Sequence, residues 1–363
     1  MRILFSASNG LGLGHLNRLL SLALAIRNAE PGHEILFLTN SEAGPFPEEF
    51  PFFTIRIPGK SRAKKSGLTL KSYIQTVRPL FWQAVASFDP HVLVVDTFPE
   101  GPEGELRAIL EWPIKKIFIF REIDPDRWPE DQYSSLLSPF HKILVPHAPG
   151  EVPLPSFFET DPRVHFIGPV TAPVPVHSRE EARSLLGIDE DPTFLVTLGG
   201  GGDPDSVFLS EKVASFLKKR EISFRIATGP LARVPANQDF PREKLLSVWP
   251  LKPWLGAFDG VISSGGYNTF HEVIEAGIPA LFIPFQRALD PQKNRILRAV
   301  SNGLAFSAKS SAPHLVMEAL SHFLENRSAL FQTLNRTPKR VMNGASSGAA
   351  IILDHPLNAP KGI

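Results

Sequence analysis

The chain has no cysteine among its 363 residues, which excludes disulfides, thiolate metal sites and cysteine nucleophiles. No apolar run approaches the about 18 residues that a membrane-spanning helix needs, and the N-terminal run, Ile3 to Phe5, is too short for a signal peptide. An excess of one charge is also missing, since 38 Lys and Arg face 37 Asp and Glu, which disfavours a dedicated nucleic-acid-binding protein. We therefore expect a cytoplasmic protein without a nucleic-acid partner.

Two domains are expected from the length, because single domains usually take about 100–200 residues. In both halves, short apolar runs alternate with helical patterns, which is typical of parallel sheets with crossover helices. Between the halves, the segment 168–176 reads GPVTAPVPV, and its prolines predict a stiff linker. We predict an α/β fold of two Rossmann-like doubly wound domains, residues 1–168 and 177–345, which face each other across a cleft. Residues 346–363 are predicted to form a C-terminal tail.

The predicted elements follow the apolar periodicity. The strands expected in the first half are residues 2–7, 34–39, 52–57, 91–96, 116–120, 141–145 and 164–167, and the helices are 15–28, 69–88 and 103–111. The strands expected in the second half are residues 193–197, 223–228, 244–249, 260–263 and 280–284, and the helices are 205–219, 267–276 and 291–301, with a last helix after Gly344.

A glycine-rich turn, Gly10 to Gly14, leads from the first strand to the first helix and ends at His15. Glycines let a backbone approach a ligand closely, and a helix N-terminus suits an anion, although a tight turn without a ligand is the alternative. The spacing differs from the dinucleotide fingerprint, and no acidic residue ends the second strand, so a nicotinamide or flavin site is not expected.

His15 and Asp96 form a candidate catalytic pair. The helix N-terminus keeps an imidazole neutral, as a general base requires. Asp96 ends the fourth strand, which neighbours the first strand in a doubly wound sheet of order 3-2-1-4-5. The carboxylate is then placed to orient the imidazole, or, alternatively, it caps the loop that follows.

The second half carries three polar segments that follow strands. Four consecutive glycines, Gly199 to Gly202, predict a phosphate cradle, but the ending of a P-loop is missing, so hydrolysis of ATP or GTP is not expected. On the helix after Ser263, Glu272 is suited to a pair of vicinal hydroxyls, with solvated surface as the alternative. The loop 284–294 is rich in amides and carboxylates, the groups that bind sugar hydroxyls, or else it is an ordinary polar loop capped by Asp290.

At residues 264–272, 277–279 and 290–294 the chain resembles the nucleotide-sugar-dependent glycosyltransferases of the two-Rossmann-lobe (GT-B) type. It is most similar to glycosyltransferase family 28, which includes the peptidoglycan N-acetylglucosaminyltransferase. The run Gly12 to Arg18 matches the same superfamily, and the runs 96–99, 104–106 and 120–123 resemble a less studied bacterial branch.

The resemblance implies a role for each matching residue. His15 falls on the catalytic histidine, with Asp96 as its partner, and Gly12, Gly14 and Arg18 fall on the acceptor or diphosphate loop. The implied donor-binding residues are Gly200, Gly201, Gly202, Val248, Trp249, Ser264, Gly265, Gly266, Asn268, Thr269, Glu272, Gln286, Asp290 and Gln292. The family has an arginine after its interdomain segment, where this chain has Thr171, and Arg233 is the candidate replacement.

The expected function is inverting, metal-independent transfer of a sugar from a nucleotide diphosphate sugar, with UDP as the expected nucleotide, to an acceptor hydroxyl. No cofactor other than this co-substrate is expected. The alternatives are a UDP-sugar hydrolase or hydrolysing epimerase of the same fold, and a non-catalytic nucleotide-sugar-binding subunit. A basic stretch at residues 60–71 predicts either a solvated loop or peripheral contact with an anionic acceptor or the inner membrane surface.

Overall fold

The computed structural model describes residues 1–8, 13–41, 50–122, 130–199, 204–229, 241–286, 290–336 and 343–355. The chain divides into two compact units, Met1–Pro173 together with Met342–Ile363, and Val174–Val341. The boundary between Pro173 and Val174 falls inside the predicted proline-rich linker. The first unit is thus a few residues longer than the predicted domain 1–168.

The first unit contains one parallel sheet. Its elements, in chain order, are β1 (Arg2–Ala7), α1 (Gly14–Ala29), β2 (Glu34–Thr39), β3 (Phe53–Arg56), α2 (Lys60–Lys65), α3 (Leu70–Phe88), β4 (Val92–Asp96), β5 (Lys115–Ile119), α4 (Glu130–Leu137), β6 (Lys142–Val145) and β7 (Val164–Phe166). The strand order is β3-β2-β1-β4-β5-β6-β7. The predicted order 3-2-1-4-5 is therefore confirmed, and β6 and β7 extend it.

The core of this sheet follows from its sequence. Parallel strands are covered on both faces, so they are continuously apolar, and Ile3, Leu4 and Phe5 of β1 are fully buried. Helix α3 begins where the Thr69 hydroxyl accepts from the Ser72 N–H at 3.1 Å, which caps the helix. Its buried side chains recur every three or four residues, so one face packs on the core.

Two expectations for the first unit are wrong. The predicted helix 103–111 is a series of turns that ends in a single 3-10 turn, Ile109–Glu111. The Glu105 carboxylate accepts from the Glu103 N–H at 2.8 Å, and Gly101 and Gly104 have φ values of 77° and 68°, which a helix does not allow. Conversely, part of the basic stretch, for which a solvated loop is one of the two predicted alternatives, forms the short helix α2.

The second unit contains another parallel sheet. Its elements are α5 (Arg179–Leu186), β8 (Thr193–Thr197), α6 (Pro204–Lys219), β9 (Ser223–Ala227), β10 (Leu245–Leu246), β11 (Gly260–Ser263), α7 (Tyr267–Ala276), β12 (Ala280–Phe282), α8 (Gln292–Ser301), β13 (Phe306–Ser307) and α9 (Pro313–Arg336). The strand order is β10-β9-β8-β11-β12-β13. The predicted strand 244–249 is reduced to the two residues of β10.

The last helix, α10 (Gly344–Ile352), belongs to the first unit and packs on α1. The close approach requires small residues, because a Cβ at Gly348 would overlap Leu22 of α1. Beyond α10, Asp354 pairs with Lys115 and, at 2.6 Å, with Lys142. This corrects the predicted division, in which the second domain extended to residue 345 and a separate tail followed. The nine residues of α10 are too few to form a core of their own, so its buried face packs against α1.

Candidate active site

The predicted pair His15–Asp96 lies at the carboxyl ends of β1 and β4, which are neighbouring strands. His15 is the second residue of α1, and its Nδ1 is 3.5 Å from Asp96 Oδ1. The Asp96 side chain is fully buried and that of His15 is 14% exposed. The alternative, in which Asp96 only caps the following loop, does not account for this proximity.

Arg18 lies one turn after His15 on α1 and binds both carboxylate oxygens of Asp96 with two guanidinium nitrogens. Its Nε donates to Asp96 Oδ2 at 3.0 Å and its Nη2 donates to Oδ1 at 3.1 Å. Arg18 is also buried. The resemblance places Arg18 on an acceptor or diphosphate loop; in the structure it lies on α1 and is the counter-ion of Asp96, and its contact with a ligand stays a prediction.

Two residues complete this cluster that sequence reasoning did not single out. The Thr97 hydroxyl donates to Asp96 Oδ1 at 2.7 Å and lies 3.1 Å from His15 Nδ1. Arg121, which follows β5, places Nη1 3.3 Å from His15 Nε2. Both residues lie within runs quoted for the resemblance, 96–99 and 120–123, and both follow the carboxyl ends of neighbouring strands, β4 and β5, which was the available signal.

Burial and charge fix the protonation states of the pair. Burial lowers the pKa of His15 below its ordinary value of 6.5, and the charges of Arg121 and Arg18 lower it further against the opposing effect of Asp96. Burial alone would raise the pKa of Asp96, but the guanidinium of Arg18, His15 and the Thr97 hydroxyl together hold it well below its usual range. At neutral pH the site therefore contains a neutral imidazole beside an ionised carboxylate, which is the state that a general base needs.

In the second unit, the turn Ser264 to Gly266 joins β11 to α7. Gly265 has φ 69°, and a Cβ there would lie 2.8 Å from Ile296 Cδ1, so only glycine fits. A Cβ at Gly266 would meet none of the described residues within 4 Å. Gly266 precedes the first turn of α7, whose N–H groups and dipole are suited to an anion such as a diphosphate.

The loop before α8 is tied to this turn by Arg295. Arg295 Nη1 donates to the Gly265 carbonyl at 2.9 Å, and Nη2 donates to Asp290 Oδ1 at 2.9 Å. Gln292 donates to the other Asp290 oxygen at 3.0 Å and accepts from the Phe285 N–H at 3.2 Å. The predicted sugar-binding residues Asp290 and Gln292 thus lie together, and a residue that we did not predict holds them against the glycine turn.

Glu272 is buried within α7, so the alternative of solvated surface is wrong for it. Burial raises its pKa to about 7; Lys252 opposes this effect and the charge of Glu275 adds to it. Lys252 in turn pairs with Glu275 at 2.8 Å. A carboxylate kept from water in this way is an acceptor for hydroxyl groups when it is ionised.

Known proteins that this chain resembles are named as glycosyltransferases. Residues 194–347 match the family model described as the glycosyltransferase family 28 C-terminal domain. An uncharacterized glycosyltransferase of Methanosarcina acetivorans is 22% identical, over 87% of this chain and 88% of that protein. The peptidoglycan N-acetylglucosamine transferase of Acetivibrio thermocellus, which is named for a pyrophosphoryl-undecaprenol acceptor, is 25% identical over 90% of each chain.

Solved structures of glycosyltransferases share the fold over nearly the whole length. The glycotransferase of kitacinnamycin has a TM-score of 0.62 at 17% identity and covers 97% of this chain and 98% of its own. A spinosyn rhamnosyltransferase complexed with thymidine diphosphate has a TM-score of 0.61 at 18% identity and covers 98% and 99%. The chain is a glycosyltransferase of the GT-B type.

The remaining predicted site residues of this glycosyltransferase lie at the ends of strands or in the first turn of α7. Val248 and Trp249 follow β10 and are half-buried, Asn268 and Thr269 are half-buried on α7, and Gln286 is exposed. Gly14 begins α1 with space for a Cβ. Gly12, Gly200 to Gly202 and Arg233 lie outside the described residues, so their roles stay predictions.

Proposed function

We propose that this GT-B glycosyltransferase moves a sugar from a nucleotide diphosphate sugar, with UDP as the nucleotide, to an acceptor hydroxyl, with inversion at the anomeric carbon. The observation that carries the proposal is the buried cluster of His15, Asp96, Thr97 and Arg18 at the carboxyl ends of β1 and β4. It holds a neutral imidazole beside a carboxylate that stays ionised. Such a pair is suited to removing a proton from a hydroxyl.

In the proposed reaction, His15 accepts the proton of the acceptor hydroxyl as the oxygen attacks the anomeric carbon. The bond between that carbon and the diphosphate oxygen breaks, and the nucleoside diphosphate leaves with the bonding electron pair. A single displacement of this kind inverts the anomeric configuration. The imidazolium that forms is stabilised by the ionised Asp96. General-base assistance typically contributes about 10²–10⁴-fold to the rate.

The second unit supports binding of the donor. The first turn of α7 at Gly266 offers backbone N–H groups and a helix dipole to the diphosphate, where negative charge grows as the bond breaks. Glu272 is proposed for the ribose hydroxyls, and the loop that contains Asp290 and Gln292 is proposed for the sugar. The prediction that Gly200 to Gly202 add further N–H groups belongs to the same proposal.

Metal independence is also part of the proposal and needs its own test. Asp-x-Asp triplets, which bind divalent ions in other glycosyltransferases, occur at residues 124–126, 189–191 and 203–205. Of these, 189–191 is fully described. There the Asp191 carboxylate pairs with two arginines, Arg179 at 2.9 Å and Arg183 at 3.1 Å. We expect turnover to be unchanged by EDTA; loss of turnover that Mg²⁺ or Mn²⁺ restores would contradict metal independence.

The proposed function is tested by nucleotide release. A panel of nucleotide sugars is first screened by thermal shift, because a ligand at 100 times its Kd adds about 2.7 kcal/mol of stability. Nucleotide release from the stabilising donor is then measured with and without an acceptor panel, for the wild type and for His15→Ala. Release that needs an acceptor, together with loss in His15→Ala, supports transfer. Release with water alone identifies a hydrolase, and binding without release identifies a binding subunit.

Contact with an anionic lipid surface is proposed for the segment of α2 and the start of α3. Lys64, Lys65 and Lys71 are exposed there beside Leu68 and Leu70, which are 47% and 58% exposed. Cations that flank exposed leucines suit a membrane surface rather than a solvated loop. Sedimentation with vesicles that contain anionic lipid tests this, with neutral vesicles as the control. Absence of binding by the wild type refutes the contact.

A further inference from the structure

The direction of the hydrogen bonds around Thr97 can be determined from its contacts. A threonine hydroxyl donates one hydrogen, and here it donates to Asp96 Oδ1 at 2.7 Å. The contact between Thr97 Oγ1 and His15 Nδ1 at 3.1 Å must then be donated by the imidazole. His15 therefore carries its proton on Nδ1, and Nε2 holds the lone pair.

An independent contact leads to the same tautomer. Arg121 Nη1 lies 3.3 Å from His15 Nε2, and a guanidinium only donates hydrogen bonds, so Nε2 has to accept. In addition, Thr97 has φ 68°, a left-handed conformation that is costly for a β-branched residue. Strain of this kind persists where the surroundings hold a residue in place, and it is concentrated at functional sites.

The direct contact between His15 and Asp96 is weaker than the route through Thr97. It measures 3.5 Å, against 3.1 Å and 2.7 Å for the two steps through the hydroxyl. Asp96 Oδ1 also accepts from Arg18 Nη2 at 3.1 Å, so it is already shared. The carboxylate is thus oriented by Arg18 and reaches the imidazole mainly through the threonine.

We propose that Thr97 is the positioning residue that links His15 to Asp96, so that the chain His15 Nδ1–H, Thr97 Oγ–H, Asp96 Oδ1 fixes Nε2 as the basic nitrogen. The inference deepens the proposed function and rests on it for the role of Nε2, whereas the hydrogen-bond chain itself does not depend on activity. Thr97 does not touch the reacting atoms. It selects the tautomer and the ring orientation of His15. Through the same hydrogen bonds, the ionised Asp96 stabilises the imidazolium.

The variants Thr97→Val and Thr97→Ser separate the effect of the hydroxyl on catalysis from the effect of the backbone strain. Valine keeps the branched shape, and therefore the strain, but lacks the hydroxyl, whereas serine keeps the hydroxyl. We expect kcat of Thr97→Val to fall toward the lower end of the about 10²–10⁴-fold that general-base catalysis contributes, with the donor KM within a few-fold of the wild type. Thr97→Ser should recover most of kcat. Thr193→Val, which removes a buried hydroxyl from the second unit, is the matched control and should leave kcat unchanged.

The tautomer is measured directly by nitrogen-15 NMR of histidine-labelled protein, with His15→Gln used to assign the His15 signals. We expect a protonated Nδ1 and an unprotonated Nε2 in the wild type and in Thr97→Ser, and a shift toward the Nε2–H form in Thr97→Val. A Thr97→Val protein whose His15 keeps the Nδ1–H form and whose kcat equals the wild type overturns the inference. If the wild type releases no nucleotide, the proposed function fails, and the NMR result still decides the hydrogen-bond chain.

Discussion

The balance of the charged groups around His15 sets its basicity. Among the described residues, Asp96 faces Nδ1, Arg121 faces Nε2, and Arg18 shares its charge with Asp96. Because Arg18 neutralises much of Asp96, the carboxylate does not raise the pKa of His15 enough to offset burial. His15 is therefore kept neutral through the physiological pH range. A histidine in a strong, exposed ion pair would instead be protonated over part of that range.

Replacing Arg121 should change the pH dependence of catalysis in a defined direction. The acidic limb of the kcat/KM profile reports the pKa of His15, and we expect it below the ordinary value of 6.5 in the wild type. Arg121→Gln removes a positive charge beside the imidazolium, so the pKa of His15 should rise and the limb should move to higher pH. Arg107→Gln, an exposed arginine paired with Glu100, is the control and should leave the limb in place. A limb that stays or moves to lower pH in Arg121→Gln would contradict this assignment.

The arginine–carboxylate pair of the site has an exposed counterpart in the same unit, which allows a matched stability test. Arg18 and Asp96 are buried, whereas Arg107 and Glu100 form the same bidentate contact, through Nε and Nη2, at the surface. Arg18→Met leaves a buried carboxylate without its counter-ion and should cost about 3–5 kcal/mol. Arg107→Met should change stability little, since exposed pairs contribute about 0–1 kcal/mol. Urea unfolding measures both.

The loss of stability in Arg18→Met should depend on pH in a definite direction. The pKa of Asp96 is held below its ordinary value, so its contribution to stability is present above about pH 4 and is lost as the pH falls further. The difference between the wild type and Arg18→Met should therefore shrink at low pH. A difference that grows on acidification would show that the pair does not stabilise the ionised carboxylate.

At the scale of elements, strand-to-helix turns hold candidate site residues in both units, between β1 and α1 and between β11 and α7. Their positions could be predicted because a strand, a glycine turn and an apolar helix face are local patterns. The segment 103–111 shows the limit of that reasoning. Its apolar spacing predicts a helix, but the buried Glu105 carboxylate binds the backbone of the turn and replaces helical hydrogen bonds. The opposite happens in α2, where a charged segment becomes helical.

The two glycines before α7 should respond differently to the same substitution. Gly265→Ala meets an unfavourable φ and the side chain of Ile296, and should lower the free energy of unfolding by about 1–3 kcal/mol. Gly266→Ala has an ordinary φ of −58° and open space, so stability should stay within about 0.5 kcal/mol while donor affinity falls. Thermal unfolding and donor titration separate the two effects. Equal loss of stability in both variants would contradict the geometry.

At the scale of the whole molecule, α10 completes the first unit from the far end of the chain. Gly348 lies against Leu22, Ile167 and Leu144, so its lack of a side chain sets how closely α10 packs. Gly348→Val should lower the free energy of unfolding by about 1–3 kcal/mol, as overpacking does. Ser346→Val, on the exposed face of the same helix, is the control and should be tolerated. Chemical unfolding of both variants decides whether α10 is part of the core of the first unit.

Local patterns in the chain were enough to predict the two parallel sheets, most of their strands, and His15, Asp96 and Ser264 to Gly266 as candidate site residues. These follow from local periodicity, from glycine turns, and from the rule that the carboxyl ends of parallel strands lie together. Four features are visible only in the folded chain: Arg18 pairs with Asp96, Thr97 lies between His15 and Asp96, Arg295 holds the loop at Asp290, and α10 packs on α1. Each of these features depends on the distance and direction between side chains on different elements. Packing of the elements sets that geometry, and the spacing of residues along the chain does not encode it.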